Sequence, residues 1–137
     1  MNPSLNAARM APAELSAWTG QLFGTSSWIT LDQARIDAFA DCTEDRQWIH
    51  CDVARATRES PFGGTVAHGF LTLSLVAPAC FEILTTRVEI RQAVNYGLDK
   101  VRFLAPVRAG RRVRNHVKIL SVEDKGAGRC LLATENT

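Results

Sequence analysis

The sequence predicts an α+β domain in which helix packs on one face of an antiparallel sheet. Three observations carry this reading. The segment from Gly69 to Leu84 is almost unbroken in apolar residues and has the length of a helix. Downstream of it the hydrophobic period changes to two, the mark of strands with one buried face. Upstream, a capped amphipathic stretch runs into a loop dense in polar side chains. A chain of 137 residues suits one domain, 1–137, with a core of ordinary size.

Taken in order, Met1 to Ala13 is rich in Ala, Asn, Pro and Ser and reads as a mobile or loosely docked arm. Glu14 to Trp18 suits a short helical turn, and Thr25 to Ile29 a first strand. Thr30-Leu31-Asp32-Gln33 has the capping-box pattern, with Thr30 as the cap and Gln33 reaching back. Ile36, Phe39 and Ala40 then form the buried stripe of a helix ending near Cys42. Asp45 to Thr57 reads as irregular apart from a turn at Asp52 to Ala56. Ser60 to Gly64 is a loop, because Pro61 disfavours helix before it and the glycines permit positive φ.

From Gly69 to Leu84 apolar residues occupy nearly every face, which predicts a helix buried all round. Pro78 removes one N–H and predicts a kink or break there. Val88, Ile90, Val94 and Tyr96 alternate with polar neighbours, and Val101-Arg102-Phe103 resumes after Gly97. Val113, Asn115, Val117 and Ile119 alternate with Arg112, Arg114, His116 and Lys118, a strand with one buried face. Asp124 to Gly128 is a hairpin turn, and Cys130 to Thr134 the returning strand. That strand begins close to Thr137, so it is expected to be short, with a following element missing.

A formal net charge of +2, with 46% hydrophobic residues, gives no basis for nucleic-acid binding. The four cysteines form no C-x-x-C pair, and Met1 to Pro12 lacks the pattern of a secretory leader. Reduced thiols in a cytoplasmic protein are the expectation. No uninterrupted apolar run reaches the roughly 18 residues of a membrane span, so no membrane partner is expected.

The candidate chemistry lies between Thr43 and Gly69. Asp45 and His50 stand five positions apart, with Trp48 and Ile49 between them as if the segment dipped into a protected pocket. A carboxylate and an imidazole can act together as general acid and base, and an imidazole, with an ordinary pKa of about 6.5, exchanges protons at neutral pH. His68-Gly69 opens the apolar helix. Its backbone N–H groups can face a developing negative charge; structurally, Gly69 allows close packing and His68 can bond a backbone carbonyl. Asp45, His50, Cys51, Asp52 and His68 are a conceivable metal set, but none has familiar zinc spacing, and no metal is expected. Cys51 follows His50 directly, and neighbours in an extended segment point apart, which argues against a thiol nucleophile. Arg102, Arg108, Arg111 and Arg112 lie at the ends of predicted strands, where guanidinium groups could meet phosphates.

Asp45-Arg46-Gln47-Trp48-Ile49-His50, followed by Ala56, resembles the motif D-x-N-P-[ILV]-H-x5-A of the MaoC-like, (R)-specific enoyl-CoA hydratases. Gln47 and Trp48 replace Asn-Pro, a variant familiar from the nodulation protein N-like branch, and Glu44 stands where the family often has Gly. Thr65-Val66-Ala67-His68-Gly69-Phe70, Asn95-Tyr96-Gly97 and Val101 to Val107 are similar to further family stretches. The resemblance implies a hot-dog fold, a long central helix wrapped by a curved antiparallel sheet, in a homodimer. It implies reversible hydration of trans-2-enoyl-CoA to (3R)-hydroxyacyl-CoA, with Asp45 and His50 activating the water. Gln47, Trp48, His68, Gly69, Asn95 and Gly97 would contact substrate. No redox cofactor or metal would be needed, coenzyme A being part of the substrate. A hot-dog thioesterase and a non-catalytic acyl-binding protein are the competing readings.

Overall fold

A computed structural model describes residues 8–137. Residues 1–7 of the foreseen arm lie outside the described residues. Beyond them, Met10 is docked: its N–H donates to the Arg87 carbonyl, and its own carbonyl accepts from Glu89, both at 2.9 Å. A 3-10 helix covers Pro12–Trp18, where a short helical turn was expected. Strands β1 (Leu22–Thr25) and β2 (Ile29–Leu31) follow. Then come helices α1 (Gln33–Thr43), α2 (Trp48–Cys51), α3 (Val53–Glu59), α4 (Gly69–Ser74) and α5 (Val76–Arg87). Strands β3 (Arg111–Val113), β4 (His116–Gly126) and β5 (Arg129–Asn136) close the order. The chain forms two compact units. One takes residues up to Ser27, Ala77–Asn95 and Asn115–Thr137; the other takes Trp28–Val76 and Tyr96–Arg114.

The first unit is an antiparallel sheet in the order β1-β4-β5, with α5 on one face. Val117 and Ile119 are buried while their neighbours are more exposed, but the single strand foreseen from Arg112 to Ile119 is two: β3 ends at Val113 and β4 starts at His116, because Asn115 bonds Ser26 instead of continuing a ladder. Ile83 of α5 packs with Phe23, Leu15, Val88, Val117 and Ile119 into one core. The β4–β5 hairpin turns through Gly126, Ala127 and Gly128 at φ 73, 52 and 71°, a left-handed run that two glycines ease. β5 has eight residues, longer than the short strand expected.

The second unit pairs β2 with β3, antiparallel, from Ile29↔Val113 to Leu31↔Arg111. Leu31, Ile36, Ala67 and Leu71 form its core, and Phe39 packs against them. The predicted stripe of α1 is therefore the buried one.

Several local expectations give way. The strand foreseen at Thr25 to Ile29 is two strands. Between them the Ser26 N–H donates to the Asn115 carbonyl, and the Asn115 N–H donates back to Ser26 Oγ, both at 2.9 Å. The Ser27 N–H and Oγ both donate to Glu82 Oε1, at 3.0 and 2.6 Å. These bonds satisfy the backbone without a ladder. Asp32 caps α1 instead of Thr30, accepting from the Arg35 N–H at 2.8 Å, so Gln33 is the first helical residue and does not reach back. The stretch foreseen as irregular carries α2 and α3; the Asp52 carboxylate caps α3 through the Arg55 N–H at 2.9 Å.

The long apolar helix breaks at Leu75 between α4 and α5, not at Pro78. Pro78 is the third residue of α5, in the first turn, where its missing N–H has no intrahelical partner to lose. Nor is the stretch buried all round. Phe70 on α4 is 69% exposed and Phe81 on α5 43%, and Ser74 and Pro78 are exposed too. By length and composition, Gly69–Arg87 is long and apolar enough to cross a membrane, which a count of unbroken apolar residues misses. Residues 89–107 hold no strand. Val94, Tyr96 and Leu104 are 75, 87 and 91% exposed, and Val88 makes one bridge with Met10. A period of two names a face but supplies no partner strand.

Candidate active site

α1 stops at Thr43, and the next residue, Glu44, is left-handed at φ 65°, ψ 8°. A residue with a β-carbon pays about 1–2 kcal/mol for that conformation. It is also the position that the resembled motif often fills with glycine. The turn releases Asp45 from the helix with its side chain exposed.

α2 then carries His50 inward to 8% exposure. The Ile49 carbonyl accepts from the Val66 N–H at 3.1 Å, and His50 Nδ1 lies 2.7 Å from the Val66 carbonyl oxygen. A carbonyl only accepts, so Nδ1 carries the proton and Nε2 keeps a free lone pair. His68, 2% exposed, caps α4 from outside the helix. Its Nε2–H donates to the Asp45 carbonyl at 2.8 Å, and its buried Nδ1 has no partner among the described residues. The expectation that His68 bonds a backbone carbonyl matches this geometry.

The two imidazoles stack with centroids 3.8 Å apart and planes 25° from parallel. Phe39 packs on His68 with centroids at 4.9 Å. One ring nitrogen from each of His50 and His68 and one carboxylate oxygen of Asp45 lie within 4.8 Å of one another. Hydrogen bonds of about 2.8 Å from each side span such a gap, so one water molecule can touch Asp45 and His50 together. As metal ligands the three are poorly aimed, because near-parallel rings send their in-plane lone pairs side by side and not toward one point.

A β-carbon at Gly69 would sit 2.9 Å from the Phe103 ring, so the ring would have to shift to admit one. Beside it lies a mostly apolar cavity of about 310 Å³, lined by Phe62, Ala67, Gly69, Thr72, Phe103 and Val107 among others. Gln47 precedes α2, and its carbonyl accepts from the His50 N–H at 2.9 Å. Trp48 is half-buried beneath the Arg55 guanidinium, 4.3 Å from the ring centroid. Gly97 stands exposed with open space around it, and Asn95, also exposed, belongs to the first unit. Arg108 donates to the Gly63 carbonyl at 2.8 Å, Arg112 lies over Trp28, and Arg102 bonds the carbonyl of Val101 at 3.1 Å. Burial, and then the carboxylates of Asp37, Asp41 and Asp45, push the Cys51 thiol up, so it is a poor nucleophile at neutral pH.

Sequence reasoning missed Gln33 and Thr65. Gln33 Nε2 donates to the His50 carbonyl at 2.7 Å, and Gln33 Oε1 accepts from Thr65 Oγ1 at 2.6 Å. Nothing in the sequence marks partners 32 positions apart.

Comparison with known proteins agrees with the motif. The family model of the MaoC like domain matches residues 14–136. The chain belongs to the MaoC-like dehydratase family. It is 46% identical over 125 residues to nodulation protein N of Rhizobium leguminosarum bv. viciae, covering 91% of this chain and 78% of that protein. It is 47% identical over 116 residues to 3-hydroxyacyl-thioester dehydratase Z of Mycobacterium tuberculosis, covering 85% and 76%. An unliganded R-hydratase structure from Pseudomonas aeruginosa aligns with a TM-score of 0.67 at 22% identity, covering 93% of this chain and 83% of that one. The fold is accordingly the α+β hot-dog fold of these MaoC-like proteins.

Proposed function

We propose that this MaoC-like protein is an (R)-specific enoyl-CoA hydratase, a hydro-lyase that adds water reversibly to trans-2-enoyl thioesters. The observation that carries the reading is the convergence of Asp45 and His50, within 4.8 Å, with His50 Nδ1 committed to the Val66 carbonyl. The similarity to a 3-hydroxyacyl-thioester dehydratase supports the thioester class. In hydration the water oxygen joins C3 and a proton joins C2. Asp45 and His50 Nε2 hold the water, take its proton and return one to the α-carbon. The roles belong to the pair, since coupled groups share protons. The Gly69 N–H is the donor assigned to the enolate oxygen. The apolar cavity beside Gly69 suits the acyl chain.

Neither a metal nor a redox cofactor enters this reaction, and coenzyme A arrives with the substrate. The reading extends to a cytoplasmic homodimer. The four free cysteines suit a reducing compartment, and the exposed Phe70 and Phe103, ring centroids 5.9 Å apart, suit an interface. The test is incubation with crotonyl-CoA. Loss of the enoyl absorbance with (3R)-hydroxybutyryl-CoA as product is expected. Release of free thiol would mark a thioesterase, and binding without turnover a non-catalytic acyl-binding protein. Light scattering at micromolar concentration reads the assembly, and a monomer would count against the dimer.

A further inference from the structure

We infer that Gln33 and Thr65 form a clamp that positions His50 for proton transfer, an inference that rests on the hydratase reading. The Gln33 amide makes bonds in one orientation only. Its nitrogen donates to the His50 carbonyl at 2.7 Å and to Asp37 Oδ1 at 2.8 Å, both groups that only accept. Its oxygen accepts from Thr65 Oγ1 at 2.6 Å. Turning the amide over would set its oxygen against two acceptors, so the orientation is locked.

The clamp holds both ends of the His50 support. One end is the backbone of His50. The other is Thr65, whose neighbour Val66 supplies the carbonyl that fixes the imidazole tautomer. The Thr65 carbonyl is in turn held by the Ala109 N–H at 3.0 Å, and the Ala67 N–H by the Val107 carbonyl at 2.8 Å. Val66 is thus anchored on both flanks, and Gln33 sets the distance between that anchor and the helix carrying His50. The side chain is half-buried on the first turn of α1 and touches no reacting atom, so its role is positioning. Second-layer bonds of this kind fix the tautomer and aim of an imidazole.

Gln33→Leu, Thr65→Val and Thr65→Ser test this. In the first two, kcat on crotonyl-CoA is expected to fall at least tenfold with KM changed less than twofold. Thr65→Ser keeps the hydroxyl and should restore kcat to within about twofold of the parent. The double variant Gln33→Leu/Thr65→Val should be no worse than the poorer single variant, since both break one unit. A second readout is independent of turnover. Nitrogen-15 NMR of the histidine rings should show His50 in the Nδ1–H form in the parent and in Thr65→Ser, and a mixture of tautomers in the other two. Wild-type kcat and an unchanged His50 signal in both Gln33→Leu and Thr65→Val would overturn the clamp. If the parent does not turn over enoyl-CoA, the hydratase reading fails, and the NMR comparison still decides the clamp.

Discussion

His50 and His68 stack face to face, centroids 3.8 Å apart, and each imidazole spends one nitrogen on a backbone carbonyl. The bond from His50 goes to Val66, and the bond from His68 goes to Asp45. The carboxylate-bearing residue and the imidazole proposed for catalysis are therefore held by one stacked pair. His68 is buried, and its Nδ1 has no partner among the described residues; a polar group left so costs about 1–3 kcal/mol to bury.

That cost leads to the first prediction. His68→Phe keeps a ring against His50, removes the unpartnered acceptor and loses the bond to Asp45. The melting temperature should not fall, while kcat drops about fivefold to tenfold, the loss expected for a neutral hydrogen bond worth about 1 kcal/mol. Calorimetry alongside turnover of crotonyl-CoA checks both. A lower melting temperature with unchanged kcat would assign His68 to the fold alone.

Catalysis by the pair is tested by Asp45→Asn, which keeps the shape and removes the base, and His50→Gln, which keeps some hydrogen bonding and removes proton exchange. Each should lower kcat by about two to four orders of magnitude. The double variant should be little worse than the poorer single one, because residues acting on one water work as a unit. Near-normal turnover in either folded variant would remove the basis of the proposed mechanism.

Gly69 and Phe103 form a size-matched contact. Gly69→Ala places a β-carbon 2.9 Å from the ring. Because the Phe103 ring is half exposed and can shift toward solvent, the cost is expected at the low end of core overpacking, about 1 kcal/mol. Adding Phe103→Ala should recover most of that loss. Equal stability of the single variant and the parent in urea melts would show that Phe103 swings aside freely.

Glu44 is the αL residue between α1 and Asp45. Glu44→Gly should be more stable than Glu44→Ala by about 1 kcal/mol, since only glycine adopts φ 65° without strain. Urea unfolding of the two variants measures the difference directly.

Cys80 gives the pH prediction. Burial raises its thiol above the ordinary value of 9.0, opposed by a hydrogen bond from Asn115. The folded protein keeps this proton after the unfolded chain has released it. The contribution to stability is therefore full below about pH 9 and is lost as pH rises toward the folded pKa. Cys80→Ser should flatten the decline of stability above pH 9 relative to the parent. Parallel curves would show that Cys80 titrates alike in both states.

The sequence by itself determined the α+β class, the buried stripe of α1, the alternation of β4 and the Asp45–His50 motif. Each of these rests on local periodicity or on residues close along the chain. Tertiary structure decided what depends on distant partners. Residues 89–107 alternate like a strand but meet no ladder, and Asp32 displaces Thr30 as the cap of α1. The helix breaks at Leu75, and Pro78 falls in the first turn of α5, where it has no intrahelical bond to lose. The tautomer of His50 is set by a carbonyl 16 positions away, and its backbone is held by an amide 17 positions back. Hydrogen-bond partners that far apart leave no period to read, because only folding brings donor to acceptor.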